Sequence, residues 1–544
     1  MNTLKIHPKD NVIVALRDLY AQTTVRNGSS TYYLHNDIPA KHKFFIEDLK
    51  AGQEVLMYGV VVGRLTQDVT QGSLMDTANT QHAADSFQYR GFSQQWTPPD
   101  VSSFKDRHFM GYRRADGRVG TANYWLCIPT VFCENRNIDV LRQAMEEELG
   151  YGSSNIYKNY TRALLRAYDS IENLEQVDLS PESTQHEARV FTHVDGIKFL
   201  QHQGGCGGTR QDATVLAHLL AAYADHPNVA GVTVLSLGCE NLQVEDFRAA
   251  LFHRNPQFNK PLLVFSQQQI GSERALMQHA IKETFIGMVD ANKLRRTPQP
   301  ISKLTLGVKC GGSDGFSGIS ANPAVGYCSD LLVALGGKVL LAEFPELCGA
   351  EQQLIDRMQD AKTAHKFIKL MSDYSFAAEQ AGSGFHMNPS PGNIKDGLIT
   401  DAIKSNGAAK KGGTSPVVAV LDYTEPANKA GLSLVCTPGN DVEATTGKVA
   451  AGATLMLFTT GLGTPTGNPI CPTIKIATNN RLATHMSDII DINTGAIIEG
   501  QKTIEQMGIE ILEYCILAAS GKIIPKAVQL RQDDFIPWKR GVSL

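Results

Sequence analysis

The stretch Leu304-Thr305-Leu306-Gly307-Val308-Lys309-Cys310-Gly311-Gly312-Ser313-Asp314 reads as an apolar strand whose carboxyl end breaks into thiol, glycine, hydroxyl and carboxylate. The same grammar recurs downstream. Lys338 to Ala342 runs into Glu343-Phe344-Pro345-Glu346, Ser415 to Leu421 into Asp422-Tyr423-Thr424-Glu425, and Leu432 to Cys436 into Thr437-Pro438-Gly439-Asn440-Asp441. Thr454 to Phe458 likewise leads to Thr459-Thr460-Gly461-Leu462-Gly463-Thr464-Pro465. Apolar strand bodies with polar, glycine-bearing ends predict a buried parallel sheet with its site along one edge. Upstream, Ala230 to Leu237 is a further apolar strand, and a polar helical segment starts near Asp246.

Three cysteines fit this grammar: Cys310, Cys206 in Gly205-Cys206-Gly207, and Cys239 in Gly238-Cys239-Glu240. At the carboxyl ends of strands in an open α/β sheet, residues far apart in sequence converge on one crevice. Cysteine is also a small, frequently buried hydrophobe, so a purely structural role stands beside the metal-binding one. Cys-x-x-Cys spacing is absent, and the pattern does not name a metal. His202, four residues before Cys206, is within reach of the same metal if the loop folds back.

At 544 residues the chain exceeds one hydrophobic core, and about two to four domains are expected. A hydrophobic fraction of 42%, a charged fraction of 19% and a net charge of −4 give no basic excess to attract nucleic acid or anionic membrane. The first residues lack a signal-peptide core, and no apolar run of about eighteen residues occurs, so a cytoplasmic protein is expected, its ten cysteines present as thiols. Residues 1–92 alternate short apolar stretches with Gly, Asp and Asn, which predicts a small β domain. A polar, proline-bearing linker is expected over 93–107, a middle α/β domain over 108–296 and a C-terminal α/β catalytic domain over 297–544, the second break falling at Arg295-Arg296-Thr297-Pro298-Gln299-Pro300.

Neither phosphate-binding glycine motif is present. Pro391-Gly392-Asn393 and Gly463-Thr464-Pro465 are either plain turns or presenters of backbone N–H groups to a carboxylate or sugar hydroxyls. Lys475, within the apolar Pro472-Thr473-Ile474-Lys475-Ile476-Ala477, must snorkel outward or be paired; desolvated, it would bind a carboxylate or act as a base.

Leu4 to Val12, His42-Lys43, Tyr112 to Gly120, Leu237-Gly238-Cys239-Glu240-Asn241, Cys310 to Gly318 with Ala321-Asn322-Pro323, and Asn388 to Asn393 together resemble the altronate and galactarate dehydratases, nearly end to end. The resemblance implies a small N-terminal β domain of the SAF (β-clip) type plus two Rossmann-like α/β regions with parallel sheets. It also implies a metal-dependent hydro-lyase that dehydrates a sugar acid, D-altronate or its sibling galactarate, to a 2-keto-3-deoxy acid. The metal expected is Fe2+, with Mn2+ or an iron–sulfur cluster as alternatives.

Dehydration needs a proton removed beside a carboxylate and a hydroxide expelled from the next carbon, both of which a metal assists. Cys206, Cys239 and Cys310 are the expected metal ligands; the alternative leaves them structural and gives Mn2+ or Mg2+ to Asp314 and Glu346. His202, Lys475 and Glu240 are the candidate proton acceptors. His7 and His42 are candidate lid residues, Lys43, Arg113 and Arg114 candidate carboxylate partners, and Asn322, Asn393 and Thr464 further substrate contacts. The expected partner is the sugar acid, in a homo-oligomer such as a dimer.

Two positions depart from the family pattern. Met75-Asp76-Thr77-Ala78-Asn79 replaces a histidine-bearing segment of the altronate branch, and Leu462 stands where an arginine is usual. They leave open a sugar-acid binding protein on a decayed scaffold.

Overall fold

The computed structural model describes residues 2–84, 86–92, 95–152, 156–179 and 188–540. The C-terminal half is built on a seven-stranded sheet, every neighbouring pair parallel. Its order is Val417–Leu421, Gly431–Val435, Lys338–Leu341, Thr305–Cys310, Leu455–Thr460, Thr473–Ala477 and Ile492–Asn493. All six residues of Thr305–Cys310 and of Leu455–Thr460 are buried, which is why these strands read as continuous apolar runs. The middle region repeats the architecture with four parallel strands, in the order Gly196–Phe199, Tyr124–Pro129, Val229–Ser236 and Leu262–Ser266. One core joins the two sheets, with Leu126, Ile128, Val232 and Val234 packed with Leu340, Val435 and Met456.

The N-terminal domain is all β. Its main sheet orders Thr3–Leu4, Val12–Ala15, Lys43–Phe45 and Leu74–Met75 as antiparallel neighbours. A second hairpin, Glu54–Met57 with Val60–Leu65, turns through Tyr58 and Gly59, both at positive φ. Only glycine fits at position 59, because a Cβ there would sit 2.7 Å from the His7 ring. The core of this domain does not close on itself: Val12, Phe45, Met57 and Val62 pack with Phe316, Ile319, Leu398 and Ile403 of the C-terminal region. Burying a large apolar side chain is worth roughly 1.5–3 kcal/mol, so the shared core fixes the domain on the sheet edge.

Two stretches expected as connections carry structure of their own. Thr297–Pro300, read as a break, is an edge strand antiparallel to His108–Arg113. An edge tolerates Pro298 and Pro300 because their missing N–H groups have no ladder to complete on the open side. The expected linker is partly core. Phe104, 2% exposed, joins the central apolar cluster, and Trp96 donates from its indole to the Thr414 hydroxyl. A single aromatic in a polar stretch carries no periodicity to reveal this. Phe104→Ala is expected to destabilise the fold by about 3–5 kcal/mol, read as an earlier first transition in urea unfolding; an unchanged midpoint would return the segment to a passive linker.

Candidate functional site

Strand order in the seven-stranded sheet reverses at Thr305–Cys310, which lies between Lys338–Leu341 and the much later Leu455–Thr460. The crevice outside that carboxyl end is where such a topology places a ligand. The loop from Cys310 to Asp314 fills it. The Cys310 thiol lies 2.6 Å from the Ser313 hydroxyl, and Asn322 donates to the sulfur at 3.7 Å while accepting from the Thr459 hydroxyl at 2.6 Å. Asn393 donates to the Ser313 carbonyl at 2.8 Å.

Asp314 is fully buried. It accepts from the Ser317 hydroxyl and the Phe316 amide through one oxygen, and from the Thr478 hydroxyl and the Asn479 amide through the other. Gly461 passes so close that a Cβ there would lie 2.2 Å from the Asp314 carboxyl carbon.

The N-terminal domain closes over this loop. Lys41 reaches Asp314 at 3.1 Å and Asp396 at 2.7 Å. Burial alone would lower its pKa; Asp314 and Asp396 outweigh that and raise it. Lys43, fully buried, donates to the carbonyls of Lys41 and Gly397 at 3.0 and 2.6 Å. Burial, only partly offset by Asp314, brings it down to about 7. Burial, then the neighbouring Lys43, also lowers the His42 pKa.

Behind the loop lies a buried charge network. Lys309 pairs with Glu343 and, at 2.9 Å, with Asp441, while Lys411 meets Glu343 at 3.1 Å and Lys448 lies 4.0 Å from it. Burial alone would discharge Lys309 and Glu343; each keeps its charge because the opposite charges beside it outweigh desolvation. Lys448, which donates to the Val308 carbonyl, is brought down to about 7 by burial despite Glu343. Lys475 neither snorkels nor finds a carboxylate. Its ammonium donates to the Thr464 carbonyl at 2.9 Å and stands 3.5 Å from the centre of the Phe458 ring, and burial brings it to about 7.

Candidates on the four-stranded sheet form a second group. His202 is buried, with Nε2 2.9 Å from the Pro129 carbonyl and Nδ1 accepting from the Gly204 amide at 3.1 Å, so both ring nitrogens are engaged. Glu240 accepts from the Thr130 and Ser236 hydroxyls and the Gly238 amide, each at 2.6 Å. Burial would raise its pKa, but these donors outweigh it and hold it ionised, as a tie between loops rather than a proton acceptor. Cys206 and Cys239 are exposed here, whereas Cys310 is buried at the edge of the other sheet. Among the described residues no three of His, Cys, Asp and Glu converge closely enough to hold one metal ion, so the expected trio of Cys206, Cys239 and Cys310 is not assembled. The alternative pair is also engaged: Asp314 as above, and Glu346 with Lys404 at 3.0 Å.

The remaining candidates lie apart. Arg114 is a brace, donating to the Pro227 and Ala122 carbonyls, and Arg113 is exposed beside it. His7 stays within its own domain, accepting from the Lys9 amide. Asp76 closes a local turn by accepting from the amides of Ala78 and Asn79. Sequence reading missed Lys41, although it adjoins the His42-Lys43 pair, and missed the Lys309 network, whose members come from separate strands, helices and turns.

Fold and site define an α/β protein capped by a β domain, with several buried lysines gathered at the edge of its larger sheet. Residues 1–83 match the altronate/galactarate dehydratase SAF domain, 111–292 the second domain of D-galactarate dehydratase/altronate hydrolase, and 301–543 the C-terminal part of D-galactarate/altronate dehydratase. The chain is 33% identical to the altronate dehydratase of Bacillus subtilis, over 99% of both chains. It is 34% identical to the altronate dehydratase of Escherichia coli over the full length of both, and 30% identical to the galactarate dehydratase (L-threo-forming) of E. coli over 95% of this chain and 93% of that one. The chain therefore belongs to the galactarate/altronate dehydratase family of hydro-lyases.

Asp314→Asn leaves Lys41 with one fewer partner and removes a fully buried charge, and is expected to cost about 3–5 kcal/mol in thermal or chemical unfolding. Pairing it with Lys41→Met removes the stranded charge and restores part of the loss; equal destabilisation of single and double variants would show that the pair is not coupled.

Proposed function

We propose that the chain dehydrates D-altronate to 2-keto-3-deoxy-D-gluconate. The observation that carries this reading is the flanking of the Cys310–Asp314 loop by two buried lysines, Lys43 and Lys475. Both donate to backbone carbonyls rather than to carboxylates, and both are brought to about 7. In this scheme the substrate carboxylate lies against Lys43, whose ammonium form the added negative charge favours. Lys475, partly neutral near pH 7, takes the proton from the carbon beside that carboxylate. The C–H electron pair forms the carbon–carbon double bond as hydroxide leaves the next carbon, the proton and hydroxide depart as water, and the enol becomes the 2-keto-3-deoxy acid.

Leu462 supports a substrate with one carboxylate over one with two. It is 42% exposed beside Gly312 and has nothing with which to pair a second anion. Identities of 33–34% to the two altronate enzymes against 30% to the galactarate enzyme lean the same way. Fe2+ is the proposed cofactor; when bound it would stabilise negative charge on the substrate carboxylate and polarise the departing hydroxyl. Since no three donors converge on one ion among the described residues, no step above is routed through it. A cytoplasmic homo-oligomer completes the proposal.

The test is anaerobic turnover of D-altronate and galactarate with added iron, scored as 2-keto-3-deoxy acid. D-altronate should be the preferred substrate. Product from galactarate alone would move the substrate, and silence with both would favour a binding protein. Lys475→Met should lower kcat by about 10²–10⁴-fold. Because the neutral amine is the working form, the wild-type rate should rise as pH climbs through about 7; a Lys475→Met enzyme with undiminished kcat would remove Lys475 from the chemistry.

A further inference from the structure

Arg113 and Arg114, candidate carboxylate partners in the sequence, do not join the Cys310–Asp314 crevice. They line a different hollow, of about 370 Å³, together with Lys260. Ala230 and Pro261 in its wall stand at the starts of the strands Val229–Ser236 and Leu262–Ser266, so the hollow lies at the amino-terminal edge of the four-stranded sheet. Arg114 and Lys260 are half-buried there and Arg113 is exposed.

Charge does not balance around this hollow. Arg118 and Arg254 are matched by Asp116 and Asp225: Arg118 meets each carboxylate at 2.6 Å, and Arg254 stands 3.6 Å from Asp225. On the rim Lys293 pairs with Asp290 at 2.9 Å. Arg113, Arg114 and Lys260 are left over, with no carboxylate at ion-pair distance among the described residues. Lys260 donates to the Ala224 and His226 carbonyls at 3.3 and 2.6 Å, at the end of helix Arg210–Asp225. A helix C-terminus carries about half a negative charge, so this cap offsets only part of the ammonium. Arg114 spends Nε and Nη2 on the Pro227 and Ala122 carbonyls at 2.7 and 3.4 Å, leaving Nη1 without a hydrogen bond to the described residues. Burial, and next the charge of Arg114, push the Lys260 pKa well below the usual lysine value, and burial brings Arg114 down to about 10. The other charged groups acting on Lys260 are Arg118, Asp116 and Asp225, all tied into the pairs above. His226 beside it is kept neutral by burial and by Lys260 itself, with Nε2 3.0 Å from the Ala453 carbonyl and Nδ1 accepting from the Asn228 amide. Bracing of carbonyls accounts for each cation singly, but not for like charges gathered around one hollow, a cost that a bound anion relieves.

We infer that this hollow binds a small anion of two or more charges, a phosphate or a polycarboxylate, between Arg113, Arg114 and Lys260. Guanidinium groups supply forked contacts to such anions and a lysine a single-point one. The ligand crevice of an open α/β sheet lies at the carboxyl ends of its strands, whereas this hollow lies at the amino ends, so its anion is an effector rather than the reactant. The inference is independent of the dehydratase reading.

The experiment is calorimetric titration of the full chain with inorganic phosphate and with citrate, at constant ionic strength in buffers free of both. One anion is expected to bind per chain; a tighter phosphate marks a phosphorylated ligand and a tighter citrate a polycarboxylate. Arg113→Ala, at an exposed position that the fold does not need, should weaken binding by at least about tenfold, and Lys260→Met by as much or more. Because the anion favours the charged amine, binding should take up a proton above the Lys260 pKa and weaken as pH rises. That uptake, read by comparing buffers of different ionisation enthalpy, should vanish in Lys260→Met. Undiminished affinity in Arg113→Ala, or no saturation by either anion up to about 10 mM, would overturn the site. If Lys260→Met does not fold, the Arg113→Ala titration alone decides the matter, and neither readout needs turnover of a sugar acid.

Discussion

Asp314 carries a buried negative charge where three parts of the chain meet. It takes hydrogen bonds from its own loop through Phe316 and Ser317, from the end of the Thr473–Ala477 strand through Thr478 and Asn479, and an ion pair from Lys41 of the N-terminal domain. An unpaired carboxylate at such depth would be costly, so the loop, the neighbouring strand end and the β domain are each held by the need to satisfy it. Gly461 closes on this carboxylate, and Cys310, Ser313 and Asn322 hydrogen-bond to one another in and beside the same loop.

The same edge divides its lysines by company. Lys41 and Lys309 have carboxylate neighbours and keep their charge; Lys43, Lys448 and Lys475 face mainly carbonyls or a ring and are brought near neutrality. One side-chain type is thereby present both as fixed positive charge and near neutrality, a division that acid–base chemistry at neutral pH can use. Which lysine falls into which class depends on pairing across strands.

That dependence marks the limit of what the sequence discloses. The apolar runs at Leu304, Lys338, Ser415, Leu432 and Thr454 each became a strand within a residue or two of its expected place, because burial on both faces of a parallel sheet leaves a continuous hydrophobic signature. Ile492–Asn493 was too short to show. The ordering of strands, and hence the assembly of Lys309, Glu343, Lys411 and Asp441, leaves no local trace. The cysteines show the same division: the glycine-flanked three picked out along the chain fall into different surroundings, Cys310 buried with Ser313, Cys206 and Cys239 exposed. Lys475 stood out because a charge inside an apolar run is visible without knowing the fold.

The core that the N-terminal domain shares with the C-terminal region changes what the chain between them is for. A domain whose Val12, Phe45 and Met57 complete their packing on Phe316, Ile319 and Leu398 is held by its own interface, and the intervening segment adds a high effective concentration together with its own contact, Phe104 seated in the central core. Severed between the two, the pieces would remain together until diluted below the dissociation constant of that interface. Swinging the whole domain away would expose the hydrophobic faces of both partners at once, so the shared core opposes such a motion in the intact chain.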